Sequence, residues 1–178
     1  MKTITKQYNL YSFDELSQEA KDKARAKFNE HDDYPFLSDD MNEKLHELLE
    51  ENHIKDTNDT SKAGTTPTPV LYSLSYSQGD GCMFEGRYEW NGYNVSIRHS
   101  GHYYHEYSKI LTITDEEGNE PETNEPEEAF DVLYVAICKE LEKYGYSIIE
   151  YNQSEECFAE TCEANEYTFL SDGTMFNE

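Results

Sequence analysis

The chain has 178 residues and a formal net charge of −24, from 38 acidic and 14 basic side chains. This length suits one domain, no apolar run reaches the roughly 18 residues that a membrane helix needs, and the first residues lack the apolar core of a signal peptide. The 15 tyrosines and 8 phenylalanines can build a core, which excludes disorder throughout. We therefore expect a cytoplasmic protein, a single α+β domain over residues 1–178, with no membrane as a partner.

The acidic excess is unevenly placed along the chain. Residues 1–62 carry 15 acids against 9 bases, and residues 63–178 carry 23 against 5. Phosphates are repelled by such a surface, so we expect no tight direct binding to free duplex DNA. The charge favours a basic protein as the partner.

The first part of the chain predicts a strand followed by a helix. Residues 3–13 can open as a strand, with apolar anchors at Ile4, Tyr8 and Leu10. Ser12 and Glu15 have the spacing of a capping box, and Ser17 is a second N-cap candidate for a helix that ends near Asn29. One basic patch lies on this helix and consists of Lys21, Lys23, Arg25 and Lys27.

A second helix is predicted from about Asp39 to Glu51, with Ser38 as its cap. Its apolar stripe consists of Met41, Leu45, Leu48 and Leu49. The small polar residues that follow predict a flexible linker at about 55–68.

Three further apolar segments predict an antiparallel sheet. They are "LYSLSYS" at 71–77, "CMFEGRYEW" at 82–90 and "KILTIT" at 109–114. The dipeptide Asn91-Gly92 predicts a tight hairpin, because a type I′ turn needs positive φ at both central residues. The resulting register pairs Trp90 with Tyr93, Tyr88 with Val95, and Glu85 with Arg98.

The segment 115–128 contains eight acids and two prolines, which predicts a solvated acidic loop. It is the candidate contact surface for a basic partner, through Asp115, Glu116, Glu117, Glu120, Glu122, Glu125, Glu127 and Glu128.

A long helix follows the acidic loop, with Gly145 as its stop. Ser154 is the expected cap of a short last helix, and "EYTFLSDGTMF" predicts a closing strand with a turn at "SDG". The fold class is α+β, an antiparallel sheet of about four to six strands with helices packed on one face.

Histidines and glycines concentrate between Tyr76 and Tyr107. "QGDG" at 78–81 is typical of a tight turn, in which Asp80 caps the loop. The hairpin register returns the histidines to the same end of the sheet, so a nuclease could use Asp80, Arg98, His99, His102 and His105 as catalytic groups. The histidines could equally be structural or form a contact surface. Their spacing is not typical of a metal site, and we expect no cofactor, although a nuclease would admit a divalent metal.

The four cysteines include no C-x-x-C pair. We therefore expect reduced, buried thiols at Cys82, Cys138, Cys157 and Cys162.

Four segments carry a resemblance to known proteins: "YSFDELSQEAKDKA", "SLSYSQGDG…FEG", "IRHSGHYYHEYS" and "EANEYTFLSDG". In this order they resemble a family of small acidic proteins encoded by phages and other mobile elements, some of which are anti-CRISPR inhibitors of the type II CRISPR effector nuclease. The resemblance implies the host bacterial cytosol as the location and the effector nuclease with its guide RNA as the partner. It assigns no catalytic residue.

Three hypotheses about function follow. The first is an anti-CRISPR inhibitor that acts through its acidic surface on a basic protein partner or its guide RNA complex. The alternative is a nuclease that cleaves guide RNA with the QGDG and histidine end of the sheet. A second alternative is a phage accessory protein that binds an unrelated host enzyme.

Overall fold

The computed structural model describes residues 1–30, 34–58 and 69–176, which form four α-helices and six β-strands. The helices are α1 (Gln18–Phe28), α2 (Leu37–Glu51), α3 (Glu125–Asn152) and α4 (Glu155–Ala164). The strands are β1 (Lys55–Asp56), β2 (Val70–Ser73), β3 (Gly81–Phe84), β4 (Gly86–Trp90), β5 (Tyr93–His99) and β6 (Lys109–Thr114). One antiparallel sheet has the order β1-β4-β5-β6 and a second pairs β2 with β3, so the predicted α+β class is confirmed.

The chain divides into two compact units. The terminal unit comprises Met1–Tyr34 and Ile148–Glu178, and the sheet unit comprises Pro35–Ser147. The single domain that the sequence predicts stays a prediction. Among the described helices, none is both long enough and apolar enough to cross a membrane.

The hairpin between β4 and β5 follows the sequence pattern. Asn91 and Gly92 both have positive φ, at 50° and 81°. Trp90 pairs with Tyr93, as predicted. The predicted pairing of Tyr88 with Val95 is also confirmed.

The predicted strand 82–90 forms two strands, β3 and β4, because regular strand structure is interrupted at Glu85. Gly86 has a φ of 142°, and a Cβ there would lie 2.6 Å from the Asn58 side chain. The predicted pairing of Glu85 with Arg98 is therefore wrong: the backbone N–H of His99 donates to the Glu85 carboxylate at 3.1 Å. Cys82, Met83 and Phe84 are all buried, so side chains on both faces of β3 are covered.

The first part of α3 packs on the sheet unit through aromatic side chains. The ring centroids of Trp90 and Phe130 are 5.3 Å apart, and those of Phe84 and Tyr134 are 4.6 Å apart. The Tyr134 hydroxyl donates to the Phe84 carbonyl at 3.0 Å, which satisfies it inside the core.

The predicted start of α2 is wrong by two residues. The helix begins at Leu37 with Phe36 in the cap position, and the Ser38 hydroxyl lies 2.8 Å from the Tyr72 hydroxyl. The predicted stripe is buried at Met41, Leu45, Leu48 and Leu49.

Helix α3 is longer than predicted at both ends. It begins at Glu125 rather than after the acidic loop, because Pro126 is tolerated in the first turn, where its missing N–H has no helical partner. Gly145 does not stop the helix, which continues to Asn152. This glycine is buried, and a Cβ there would lie 2.5 Å from Leu74 Cδ1, so it permits close packing.

The first two residues of the expected linker at 55–68, Lys55 and Asp56, form β1 instead. Lys55 pairs with Glu89 in the sheet, with an Nζ–Oε2 distance of 2.7 Å. The Thr57 N–H donates to the Arg87 carbonyl at 3.0 Å. Residues 59–68 of the predicted linker lie outside the described residues.

The terminal unit is held by a small aromatic core, and its caps are those predicted. The Ser12 N–H donates to the Glu15 carboxylate at 2.8 Å. The Ser17 and Ser154 side chains accept from the first turns of α1 and α4. The buried core consists of Phe13, Leu16, Ala20, Ala24, Phe158, Cys162 and Phe169.

The strands expected at the two ends of the chain are reduced to isolated bridges. Tyr11 bridges to Phe169, and Phe169 bridges to Met175. The predicted anchors Ile4, Tyr8 and Leu10 are exposed. The predicted "SDG" turn is confirmed, since Gly173 has a φ of 82° and its N–H donates to the Leu170 carbonyl at 3.0 Å.

All four cysteines are free thiols, as expected. Cys157 is half-buried and the others are buried. Burial raises the pKa of Cys138 to about 12 and that of Cys162 to about 11, which keeps both protonated at neutral pH.

Candidate functional site: the tyrosine–histidine loop and the acidic segment

Residues 100–108, here the tyrosine–histidine loop, connect β5 to β6 and carry much of the segment that the sequence singled out. The Ser100 N–H donates to the Ser108 carbonyl at 2.9 Å and closes the loop at its base. The Glu106 side chain turns inward and is only 4% exposed. Its carboxylate lies 2.9 Å from Lys139 Nζ on α3, which compensates the buried charge.

Lys109 provides a second tie between the loop and α3. Its ammonium donates to the Glu106 carbonyl at 2.8 Å and lies 2.7 Å from the Asp131 carboxylate. It also lies 4.5 Å from the ring centroid of Tyr134, a cation–π distance. The loop is therefore fixed to the helix by two lysines.

The QGDG turn packs directly against this loop. A Cβ on Gly79 would lie 2.7 Å from the Tyr103 ring, and a Cβ on Gly81 would lie 2.7 Å from His105 Cβ and 3.2 Å from the Tyr104 carbonyl oxygen. The prediction that the turn and the histidine segment lie side by side is confirmed. The prediction that both belong to the end of one sheet is wrong, because the turn joins β2 to β3 in the two-stranded sheet and the loop joins β5 to β6 in the four-stranded sheet. The contact is made by glycines, which leave room for the loop.

The rings of the loop are ordered by contacts with each other. The His105 ring stacks on Tyr103 and meets Tyr107 edge-on, with centroid distances of 6.1 Å in both cases. The His99 and Tyr104 centroids are 5.1 Å apart. The three tyrosines nevertheless expose 57%, 38% and 69% of their surface; they are Tyr103, Tyr104 and Tyr107, here the tyrosine patch. This patch is not among the sites predicted from the sequence, although the segment "HYYHEY" contains all three tyrosines.

The Asp80 carboxylate is occupied by its own turn. It is within 2.6–3.2 Å of backbone or hydroxyl donors of Ser73, Ser75 and Ser77, and it accepts from the Tyr146 hydroxyl at 2.8 Å. Burial raises the pKa of Asp80, but these hydrogen bonds outweigh it and hold that pKa well below its usual range. Burial, followed by the hydrogen bond to Asp80, raises the pKa of Tyr146 to about 12. Asp80 is thus an ionised acceptor that organises the turn.

The other catalytic candidates lie at the end of β5 and in the loop that follows it. Arg98 and His102 are exposed, whereas His99 and His105 are half-buried. His99 Nε2 lies 3.2 Å from the Tyr103 carbonyl oxygen. Within the described residues no hydrogen bond or ion pair joins Asp80 to any of these four side chains, so the catalytic assignment stays a prediction. No set of three or more His, Cys, Asp or Glu side chains in the described ranges is arranged to hold a metal ion, and we therefore name no metal ligands.

Asp115, the first residue of the acidic segment (115–128), closes a tight turn. Its Oδ1 accepts from the backbone N–H of Glu117 at 2.9 Å and of Asn119 at 2.8 Å. The Asn119 backbone hydrogen bond is the main reason that the pKa of Asp115 is lowered. Gly118 supplies the positive φ, at 88°. The Asp115 carboxylate therefore already accepts hydrogen bonds from its own turn.

The other seven acids of the segment are exposed. Glu125, Glu127 and Glu128 lie in the first turn of α3, where the helix dipole favours carboxylates. Within the described residues none of the seven side chains makes a hydrogen bond or an ion pair; they are Glu116, Glu117, Glu120, Glu122, Glu125, Glu127 and Glu128.

Most described cations, in contrast, lie beside a carboxylate. Eight basic side chains are within 4 Å of an acidic partner, including the whole basic patch predicted on α1; they are Lys21, Lys23, Arg25, Lys27, Lys44, Lys55, Lys109 and Lys139. Exposed pairs of this kind add little stability. Because these eight cations already lie beside other carboxylates, they do not compensate the acidic segment, whose negative charge remains unpaired.

Comparison with protein-family models, with curated proteins and with solved structures found no match to this chain.

Proposed function

We propose that the chain is an inhibitory binding protein that places its acidic segment on the cationic surface of a nucleic-acid-binding protein. The observation that carries this proposal is the set of seven exposed, unpaired carboxylates within residues 116–128. Duplex DNA carries one charge per roughly 1.7 Å of axis. Three of the carboxylates fall within one helical turn of about 5.4 Å, a comparable density of negative charge.

The first partner to test is the type II CRISPR effector nuclease with its guide RNA. The sequence resemblance supports this choice, and the charge supports the class, since such proteins hold nucleic acid in a positively charged channel. Electrostatic complementarity of this kind gives fast association and a steep dependence on salt. Binding to an unrelated host enzyme remains the alternative if this nuclease is not inhibited.

The state of Asp80 supports binding over RNA cleavage. An acid–base catalyst needs a pKa near the working pH. Hydrogen bonds hold the pKa of Asp80 far below that range, and its oxygens are already occupied by the turn and by Tyr146.

The proposal is tested with two charge-matched variants in a DNA cleavage assay with the effector nuclease and its guide RNA. The segment variant replaces Glu116, Glu117, Glu120 and Glu122 by Gln. The control variant makes the same change at four exposed glutamates elsewhere, namely Glu140, Glu156, Glu163 and Glu166. Both variants lose four negative charges, so a difference between them reports location rather than net charge.

We expect the unmodified chain to inhibit cleavage, and the segment variant to need about tenfold more protein for the same inhibition, since each rim charge contributes modestly. The control variant should stay within about twofold. Equal losses in both variants would contradict the assigned contact surface. Labelled guide RNA that is shortened by the protein alone would favour the nuclease alternative instead.

A further inference from the structure

We propose that the tyrosine patch is the anchor of the same interface and that it recognises arginine side chains of the partner. This inference rests on the proposed function, because it assumes a cationic protein partner. It adds a second contact surface, at the end of β6 away from the acidic segment, and a preference for one type of cation.

The patch combines exposure with a fixed backbone. Tyr103 and Tyr107 are 57% and 69% exposed. The loop that carries them is tied to α3 through the buried Glu106 carboxylate and Lys109. Exposed rings on an ordered loop lose little conformational entropy on binding, which is the property of tyrosines in binding loops.

The chemistry of the patch selects a cation that can stack. The face of a tyrosine ring attracts cations, and arginine occupies such sites more often than lysine. Guanidinium is planar and weakly hydrated, whereas ammonium is a compact, strongly hydrated charge. The fold already uses this interaction internally, because Lys109 Nζ lies 4.5 Å from the ring centroid of Tyr134 and 6.0 Å from that of Tyr107.

The two surfaces contribute different kinds of binding energy. They flank β6, whose six residues span about 20 Å. The acidic segment attracts any cation over distance, and salt screens that attraction. Contact between rings and guanidinium is short-range, and salt weakens it less. Arginine preference and salt dependence should therefore be separable by mutation.

The test measures the binding of nona-arginine and nona-lysine peptides by titration calorimetry at about 50 mM and about 300 mM NaCl. The patch variant is Tyr103→Ser with Tyr107→Ser. The matched control is Tyr8→Ser with Tyr151→Ser, two exposed tyrosines of the terminal unit. Circular dichroism checks the fold of each variant. Tyr107→Ser alone serves as a milder variant, because no hydrogen bond of the Tyr107 hydroxyl is found within the described residues.

We expect the unmodified chain to bind nona-arginine about tenfold more tightly than nona-lysine. The patch variant should reduce this preference to about twofold or less, with an unchanged salt dependence. The control variant should keep the preference, and Tyr107→Ser alone should give an intermediate value.

Equal affinity of the unmodified chain for both peptides would overturn the inference and leave the acidic interface standing. A preference that survives in the patch variant, or is lost in the control as well, would also overturn it. If neither peptide binds at the lower salt concentration, the proposed function fails together with this inference.

Discussion

The Asp80 carboxylate shows how one residue can set the end of a strand. The sequence pattern "LYSLSYS" predicts a strand over 71–77, but β2 ends at Ser73. The reason is that donors of Ser73, Ser75 and Ser77 turn to the carboxylate. Short polar side chains compete with strand pairing in this way. The sequence identifies Asp80 as a turn residue, but it cannot show that three serines are its partners.

Asp80→Asn should lower the free energy of unfolding by about 1–3 kcal/mol. The change removes the charge and places an amide N–H₂ among groups that already donate hydrogen bonds. Chemical denaturation at neutral pH measures the loss. Glu140→Gln is the control, because this glutamate is exposed and its side chain makes no hydrogen bond or ion pair in the described part of the chain. An equal effect of the two substitutions would contradict the role assigned to the carboxylate.

The effect of Asp80→Asn should also depend on pH. The folded-state pKa of Asp80 is lowered, so its stabilising contribution is fully present above the unfolded-state pKa of about 3.9 and is lost as pH falls through the folded-state pKa. The difference in stability between the unmodified chain and the variant should therefore shrink as pH falls below about 4. Denaturation curves over this range measure it, and a difference that grows on acidification would contradict the assignment.

Among the elements, those defined by local signals could be predicted and those defined by distant contacts could not. The hairpin at Asn91-Gly92 and the cap at Ser154 depend on residues within a few positions, and both were predicted correctly. The break at Glu85 and the continuation of α3 through Gly145 depend on side chains that pack from elsewhere, Asn58 in one case and Leu74 in the other. A glycine ends a helix or permits close packing, and the sequence alone does not distinguish the two.

The same limit applies to the candidate site. The sequence predicted correctly that the QGDG turn lies beside the histidine segment, but it assigned both to one sheet, whereas they belong to two. It did not reveal that Glu106 is buried against Lys139, because that ion pair joins residues far apart in sequence. The sequence pattern therefore indicated the histidines, and not the exposed tyrosines of the same loop, as candidate site residues.

Lys139→Met should destabilise the protein by about 1–3 kcal/mol, because it leaves the buried Glu106 carboxylate without its ion-pair partner. The Glu106 hydrogen bond is the main reason that the pKa of Lys139 is raised. The matched control is Lys143→Met, one helical turn further along α3, which is exposed and in no ion pair within the described residues. Thermal unfolding measures both variants. An effect of Lys143→Met as large as that of Lys139→Met would show that the loop is not held in this way.

Gly81→Ala should displace the tyrosine–histidine loop at a cost of about 1–3 kcal/mol, because the new Cβ would lie 2.7 Å from His105 Cβ and 3.0 Å from its Cα. Gly101→Ala is the comparison. Its φ of 106° strains an alanine, but nothing lies within 4 Å of the new Cβ. NMR signals of His105 and Tyr104 should shift more in the first variant than in the second. Equal shifts would contradict the packing of the turn against the loop.

At the scale of the whole molecule, the net charge follows from the sequence, but the location of the unpaired acidic side chains does not. The value of −24 is fixed by composition. Which acids remain free depends on the fold, because the ion pairs of Lys23 with Asp172 and of Lys55 with Glu89 join residues that are distant in sequence. The fold therefore determines which part of the surface carries uncompensated negative charge, and this part is the acidic segment.

Salt should act on folding and on binding with opposite signs. Self-repulsion among uncompensated carboxylates destabilises the folded chain, and added salt screens it. Raising NaCl from about 10 mM to about 500 mM should therefore raise Tm by several degrees, since about 1 kcal/mol corresponds to roughly 2–4 °C for a chain of this length. The same increase should weaken binding to a basic partner. Scanning calorimetry measures Tm, with the Gln variant at Glu116, Glu117, Glu120 and Glu122 as the control, whose Tm should depend less on salt. A Tm that falls with salt would mean that the ion pairs of the lysines, and not repulsion among the acids, dominate the electrostatics of the folded protein.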